Sequence, residues 1–377
     1  MIKTITTYTV LVYFGFLIIE GWYLRRVRER LPYVIHVNGI RGKSTLVWML
    51  DGISREIGYK TFSKVTGTKP EYRGVDGKRV SIQRRKMPNI LEQKKMLYLA
   101  AKQNADILII ECMAVNPYLQ KKSSEMIRPN LTLITNVRLD HMEVMGMNRD
   151  EIAQNLAQSI TEDSVVVVEK SSYLERFIKV AEIKGSVCKV RKEYREFPVE
   201  KGLDSCIKQI MEIESEHEDN CAMALQVAEI MGWDIFTTVK GISKRVRDVY
   251  SSKEIEMGSG VVAYGFAIND LDSTQLFYQK LVKKYETMRK AVLFNDRIDR
   301  PLRRLMFLSW LVCLNPERIY LSGSMKSYNR RKLVQNGYEG MIVCVDNIDD
   351  IEYDEWLVVG IGNLKGFAEK MMEELHA

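Results

Sequence analysis

The 377-residue chain reads as an α/β protein, with an N-terminal membrane anchor helix followed by two domains built on mostly parallel sheets. Three observations point there. From Tyr33 onward, apolar strand-like runs alternate with helical stretches, the signature of strands joined by crossover helices. Near 240–250 that pattern breaks in charged, turn-rich sequence and then restarts, and the chain exceeds what one core usually serves. Ahead of both lies Ile5–Leu24, an apolar run nearly long enough to span a bilayer.

That run, ITTYTVLVYFGFLIIEGWYL, ends in Trp22 and Tyr23, which suit a membrane interface, and Arg25, Arg26, Arg28 and Arg30 follow at once. Lys3 alone stands on the other flank. The asymmetry predicts a single-pass, uncleaved anchor in the cytoplasmic membrane, with everything downstream on the cytoplasmic side. Glu20 is the one carboxylate in the run, and an amphipathic or buried helix is the alternative. The expected domains are 1–31 (anchor and basic flank), 32–243 and 244–377.

In the first domain, strands are predicted at 33–37 (YVIHV), 105–111 (ADILIIE), 131–137 (LTLITNV) and 164–169 (SVVVVE). Helices are predicted at 45–58, 150–160 and 221–231, the last closed by Gly232. The second domain carries strand candidates at 261–266, 290–295, 318–323, 340–345 and 355–362.

Six cysteines are scattered without a CxxC pair or a histidine cluster, so neither a disulfide framework nor a zinc site is indicated. They read as buried thiols. The net charge of +7 is uneven: residues 60–102 hold twelve Lys/Arg against three acids. Such a block is either a solvated surface or a match for an anionic substrate, product or lipid headgroup. No nucleic-acid module is visible, and no nucleic-acid partner is expected.

The stretch VIHVNGIRGKST (34–45) keeps most of a phosphate loop but has Val37 where the first glycine of GxxxxGK[ST] would stand. It joins a predicted strand to a predicted helix, so successive backbone N–H groups can face a phosphate. Lys43 would neutralise phosphates and the Ser44 hydroxyl would ligate Mg²⁺. Glu111 closes the strand ADILIIE, where a parallel sheet presents ligand-binding residues. After LTLITNV comes Arg138-Leu-Asp-His-Met-Glu143, in which His141 is either structural or a ligand, Asp140 a turn residue or a functional acid, and Glu143 a solvated one.

GIRGKST resembles the GTNGKT loop of Mur ligases and folylpolyglutamate synthases, where the earlier glycine is also dispensable. TNVRLDHMEVMG resembles their TNxxxDHxDxHG segment, and EDNCAMALQVAEIMG their NxxNxxAAxAxA helix. The phrases NGIRGKST, ECMAVNP, DHMEVMG, GFAINDLDST and GIGNLKG, in order from 38 to 366, look like signatures of poly-γ-glutamate synthase subunits of the PgsB/CapB type.

The resemblance implies a P-loop, Mur-ligase-like central domain and a smaller Rossmann-like C-terminal domain. It implies an ATP- and Mg²⁺-dependent ligase that activates a glutamate γ-carboxylate as an acyl phosphate and joins it to the amine of another glutamate. By the same resemblance Gly39, Gly42, Lys43, Ser44 and Thr45 would cradle phosphates, Ser44 and Glu111 would hold a first metal and His141 a second, and Asn220 would lie near adenine. Asn269, Asp270, Asp272, Ser273 and Thr274, with Asp296 and Arg297, would close over nucleotide and substrate, with Lys43, Glu111, His141, Asp296 and Arg297 as the catalytic set. Gly360, Gly362 and Asn363 would form a further tight turn. Without the resemblance, these second-domain residues read equally as turns and N-caps.

Two departures stand out. No lysine lies between Lys122 and Lys170, where Mur ligases often carry a carbamylated one, and Gly265 stands where they place an aspartate. Implied partners are glutamate, the anionic polymer, small membrane subunits for synthesis and export, and another copy of the chain. The competing readings are another Mur-like ligase of the folylpolyglutamate synthase kind and a membrane-tethered P-loop ATPase scaffold.

Overall fold

The computed structural model describes residues 2–67, 69–84, 89–193, 196–197, 217–246, 253–268 and 270–375, the side chains of 2–10 excepted. Two compact units result: 1–137 with 144–247, and 138–143 with 248–377.

The first unit is built on β1 (Tyr33–Asn38), β2 (Thr61–Val65), β3 (Glu71–Arg73), β4 (Arg79–Ser81), β5 (Ile107–Glu111), β6 (Leu131–Ile134), β7 (Val165–Val168) and β8 (Val187–Val190). They lie in the order β4-β3-β2-β5-β1-β6-β7-β8, parallel except for β3 and β4. Strands β1, β5, β6 and β7 are continuous apolar runs because both their faces are covered. Over one face packs the helix Lys43–Ile57, burying Leu46, Val47, Leu50 and Ile53 with Glu218–Met231 beside it. Helix Ile235–Ser243 crosses the first of these through two glycines. A Cβ on Gly52 would lie 2.4 Å from the Gly241 carbonyl, and one on Gly241 would lie 2.4 Å from the Ile53 Cα. Helix Glu218–Met231 ends at Gly232 in the left-handed region, as a C-cap requires.

Ile2–Glu29 is a single 28-residue helix. The expected anchor over Ile5–Leu24 is nevertheless not shown, since among the described residues no helix is long and apolar enough to cross a membrane. Beyond the predicted span, the chain packs onto the first unit. Val27 and Leu31 are buried with Phe62, Met96 and Leu97, and Glu20 is ion-paired with Lys94.

Five cations of the basic block, Lys64, Arg73, Arg79, Arg84 and Lys94, are ion-paired inside the same unit. Lys64 is fully buried on β2 and paired at 2.8 Å with Glu92, which Arg84 also grips at 2.9 and 3.0 Å. Arg73 holds Asp51 at 2.7 Å and Arg79 holds Glu71. A polyanion track along 60–102 therefore loses part of its charge. Arg84→Glu should destabilise the fold by about 2 kcal/mol, because it leaves Glu92 beside a like charge. A denaturation midpoint that does not move would contradict this. Buried thiols were expected throughout, yet only Cys112 and Cys221 of the described cysteines are buried; Cys188 is half-buried and Cys313 and Cys344 are exposed.

His36 on β1 is wholly buried, and burial, then the Lys64 ammonium, pushes its pKa down to about 3. The unfolded chain binds a proton near pH 6.5 that the fold rejects, so stability falls as pH drops from there towards 3. Unfolding free energy should lose about 1.4 kcal/mol per pH unit from this group between pH 6 and 5, above the main carboxylate range. Urea titrations at the two pH values, with His36→Gln as control, should show that slope shrinking in the variant.

The second unit contains β9 (Lys253–Met257), β10 (Gly260–Tyr264), β11 (Arg289–Asp296), β12 (Arg318–Gly323), β13 (Met341–Cys344) and β14 (Trp356–Gly362), in the order β13-β12-β11-β14-β10-β9. Only the edge strand β9 runs antiparallel. One face carries Phe307, Leu308 and Leu311 of helix Pro301–Leu314, the other Ala368, Met371 and Met372 of helix Phe367–Glu374. The helices that follow β11 and β14 thus leave to opposite faces, which opens a crevice at the carboxyl ends of these neighbouring strands.

Candidate active site

In the first unit the loop 39–42 joins β1 to the helix Lys43–Ile57. Gly39 (φ 112°) and Gly42 (φ 79°) are both in the left-handed region. A Cβ on Gly39 would come within 2.2 Å of Thr135 Oγ1, and one on Gly42 within 2.6 Å of Asn220 Oδ1. The loop is latched from behind: Asn38 Oδ1 accepts from Gly39 N (2.8 Å), Asn136 Oδ1 accepts from Arg41 N (3.0 Å), and Thr135 Oγ1 donates to the Arg41 carbonyl (2.6 Å). Asn220, expected near adenine, lies against the loop and donates from Nδ2 to the Gly42 carbonyl at 3.2 Å.

Lys43 bends back onto the loop and donates from Nζ to the carbonyls of Gly39 (2.8 Å) and Ile40 (3.0 Å). Ser44 Oγ donates to Glu111 Oε2 at 2.8 Å, and the same carboxylate oxygen accepts from Thr66 N at 2.7 Å. β1 and β5 are hydrogen-bonded neighbours, which is why residues 67 apart in sequence meet. A hydroxyl and a carboxylate beside a phosphate loop form a hard-oxygen donor set suited to Mg²⁺. Thr45 occupies the first turn of the helix, half-buried.

His141 lies in the segment 138–143, which belongs to the second unit. Its backbone is in the left-handed region (φ 50°), and Arg300 Nη1 stands 2.9 Å from its Nδ1. A guanidinium can only donate, so Nδ1 is the acceptor and a neutral ring carries its proton on Nε2. Metal ligation through Nε2 would need that proton on Nδ1, facing Arg300. In this arrangement Ser44 and Glu111 are the residues that fit a divalent cation. Beside His141, Asp140 is ion-paired with Arg303 at 2.6 Å, and Arg303 also donates to Asn363 Oδ1 at 3.2 Å.

Asp270 caps the helix Leu271–Lys284, accepting from Ser273 N at 2.9 Å, and lies 3.6 Å from Arg138. Thr274 Oγ1 donates to the Asp270 carbonyl at 2.7 Å, and Asp272 sits half-buried in the first turn. Asn269 lies outside the described residues. Asp296 is buried at the end of β11, accepts from Met325 N at 3.2 Å and lies 3.8 Å from Arg304. Arg297 grips Asp299 at 2.9 and 2.6 Å. Gly360 and Gly362 line the end of β14, and a Cβ on Gly362 (φ 101°) would lie 2.3 Å from the Asn295 carbonyl. Gly265 has a packing reason: a Cβ there would come within 2.8 Å of the Phe277 ring, so any side chain would require that ring to shift.

Of four loop-supporting residues, Asn38, Thr135 and Asn136 stood in the quoted phrases without an assigned role, and Thr66 went unread. Their signal was positional, since Asn38, Thr135 and Asn136 sit at or just past the carboxyl ends of β1 and β6 and Thr66 follows β2.

A parallel sheet carrying a phosphate loop, followed by a second α/β unit, defines the architecture of the Mur-type ligases. Residues 37–217 match the Mur ligase middle domain and 249–377 the poly-gamma-glutamate synthase CapB C-terminal domain. Over 92% of this chain and 91% of the relative, the sequence is 31% identical to the PGA synthase CapB of Bacillus subtilis (strain 168). It is 33% identical to the capsule biosynthesis protein CapB of Bacillus anthracis, over 76% of this chain and 63% of that one. Among solved structures, E. coli FolC in complex with ADP superposes with a TM-score of 0.67 at 15% identity, covering 94% of this chain and 92% of that one. The chain belongs to the CapB family of poly-γ-glutamate synthases within the Mur ligase superfamily.

Proposed function

We infer that the protein is an ATP-dependent amide ligase that makes poly-γ-glutamate. The observation that carries the chemistry is the Ser44–Glu111 contact at the mouth of the loop. The family membership supplies the product.

A carboxylate is a poor electrophile. Transfer of the ATP γ-phosphoryl group to it gives an acyl phosphate and ADP. Attack by the amine of another glutamate then forms the amide, with phosphate leaving and one proton released. No covalent bond to the protein is needed, so the work lies in positioning and charge screening. The backbone N–H groups of 39–44 and Lys43 would hold the phosphates, Lys43 exchanging the Gly39 and Ile40 carbonyls for them. Ser44 and Glu111 would hold Mg²⁺, which supplies charge neutralisation at the transferring group. Asn220, Thr135 and Asn136 keep the loop shaped for both.

The finer expectations rest on particular features. Leu11–Tyr23 presents Leu11, Val12, Phe14, Ile18, Ile19 and Trp22 more than half exposed, which supports membrane association of this helix, and the flank of Arg25, Arg26, Arg28 and Arg30 supports catalysis on the cytoplasmic side. Small membrane subunits or a second copy would cover the same surface.

The test supplies ATP, Mg²⁺ and labelled glutamate to membranes holding the protein and its partner subunits, following ADP and γ-linked polymer together. Glutamate-dependent ADP release with polymer establishes the reading. ATP turnover indifferent to glutamate would sink it and favour the scaffold reading, and turnover dependent on folate a folylpolyglutamate synthase-like one.

A further inference from the structure

Within the second unit a solvent-open pocket lies between the segment 138–143 and the starts of helices Leu271–Lys284 and Pro301–Leu314. Its charged lining is Asp140, Glu143, Asp270, Arg300 and Arg303. Most of that charge is already matched. Asp140 pairs with Arg303 and Asp270 with Arg138, so neither acid is set to recruit a ligand.

Two groups remain, one of each sign. Arg300 is half-buried, and its one hydrogen-bond partner among the described side chains is the His141 ring; no carboxylate among the described residues pairs with it. A guanidinium spent on an imidazole nitrogen keeps its full charge and most of its donor fork. Glu143 is exposed at the pocket wall and forms no ion pair among the described residues. Matched pairs hold the wall in place, while an unmatched cation and an unmatched anion face the same space.

We propose that this pocket binds the head group of an α-amino acid, Arg300 taking the α-carboxylate and Glu143 the ammonium. The Arg300 fork matches a carboxylate in bidentate fashion, and the imidazole holds the guanidinium in place. This rests on the ligase reading and sharpens it, because the amine partner of the reaction carries both groups on one carbon. Free glutamate and the amino-terminal residue of a γ-linked chain share that chemistry.

Calorimetry on the full chain tests the proposal without turnover. Glutamate and γ-glutamyl-glutamate are titrated into the unsubstituted protein, Arg300→Gln, Arg300→Lys and Glu143→Gln. Arg300→Gln should weaken binding between tenfold and a hundredfold, Glu143→Gln about tenfold, and Arg300→Lys should restore part of the loss. Two truncated probes separate the roles. N-acetylglutamate, lacking the ammonium, should be insensitive to Glu143→Gln, and γ-aminobutyrate, lacking the α-carboxylate, to Arg300→Gln. Tighter binding of glutamate than of the dipeptide would assign the pocket to the free amino acid, and the reverse to the chain end. Equal affinities in all variants, or no binding of either probe to the unsubstituted protein, would overturn the proposal. The ligase reading stands or falls separately on ADP release and polymer.

Discussion

Replacing Lys43 by alanine is expected to lower glutamate-dependent ADP release on the order of a thousandfold while leaving the fold intact. Lys43 is half-buried and donates to main-chain carbonyls of its own loop, at 2.8 Å to Gly39 and 3.0 Å to Ile40. Gly39 and Ile40 are buried, so loss of the ammonium leaves their carbonyls without this donor, at a stability cost of about 1–3 kcal/mol. What cannot be replaced is a fixed positive charge beside the transferring phosphoryl group. ADP release measured at saturating ATP, with circular dichroism as the check on folding, gives the answer. A folded variant with undiminished release would remove the loop from the chemistry.

Trp356→Ala should produce the largest stability loss, about 3–5 kcal/mol. The indole is 1% exposed at the start of β14 and packs with Val262, Tyr320 and Met371. Two guanidinium groups sit close to the ring, Arg289 at 3.9 Å and Arg318 at 4.3 Å from the centroid. Truncation therefore opens a cavity and also strips two cations of an aromatic partner, each such contact being worth about 0.5–2 kcal/mol. Trp356→Phe keeps the packing and much of the cation contact and should recover more than half. Urea denaturation followed by circular dichroism decides it, and an alanine midpoint indistinguishable from the parent would refute the account. Because β14 runs from Trp356 to the turn at Gly362, weakening its start should also loosen the contacts of Asn363.

How much of this was legible beforehand follows from the range of the forces involved. The apolar runs of β1, β5, β6 and β7, and of β10, β11, β12 and β14, announced themselves because a parallel strand buried on both faces has to be continuously apolar. The antiparallel additions β3 and β4 did not. Their residues are Glu71-Tyr-Arg73 and Arg79-Val-Ser81, in which the charges pair with Asp51 and with each other across the strands. Read linearly, those arginines formed a basic patch.

The sequence by itself determined the phosphate loop, because glycines at 39 and 42, Lys43 and Ser44 do their work within six consecutive residues at a strand-to-helix junction. It also determined the α/β class and the family. Tertiary structure alone decided which side chains face one another: Glu111 on Ser44 across 67 residues, Arg300 on His141 across 159, and Arg303 on Asp140 across 163. The same decision separated the matched charges from the unmatched ones. Sequence carries the count of charges, but an ion pair forms between groups within about 4 Å, and only the folded chain sets those distances.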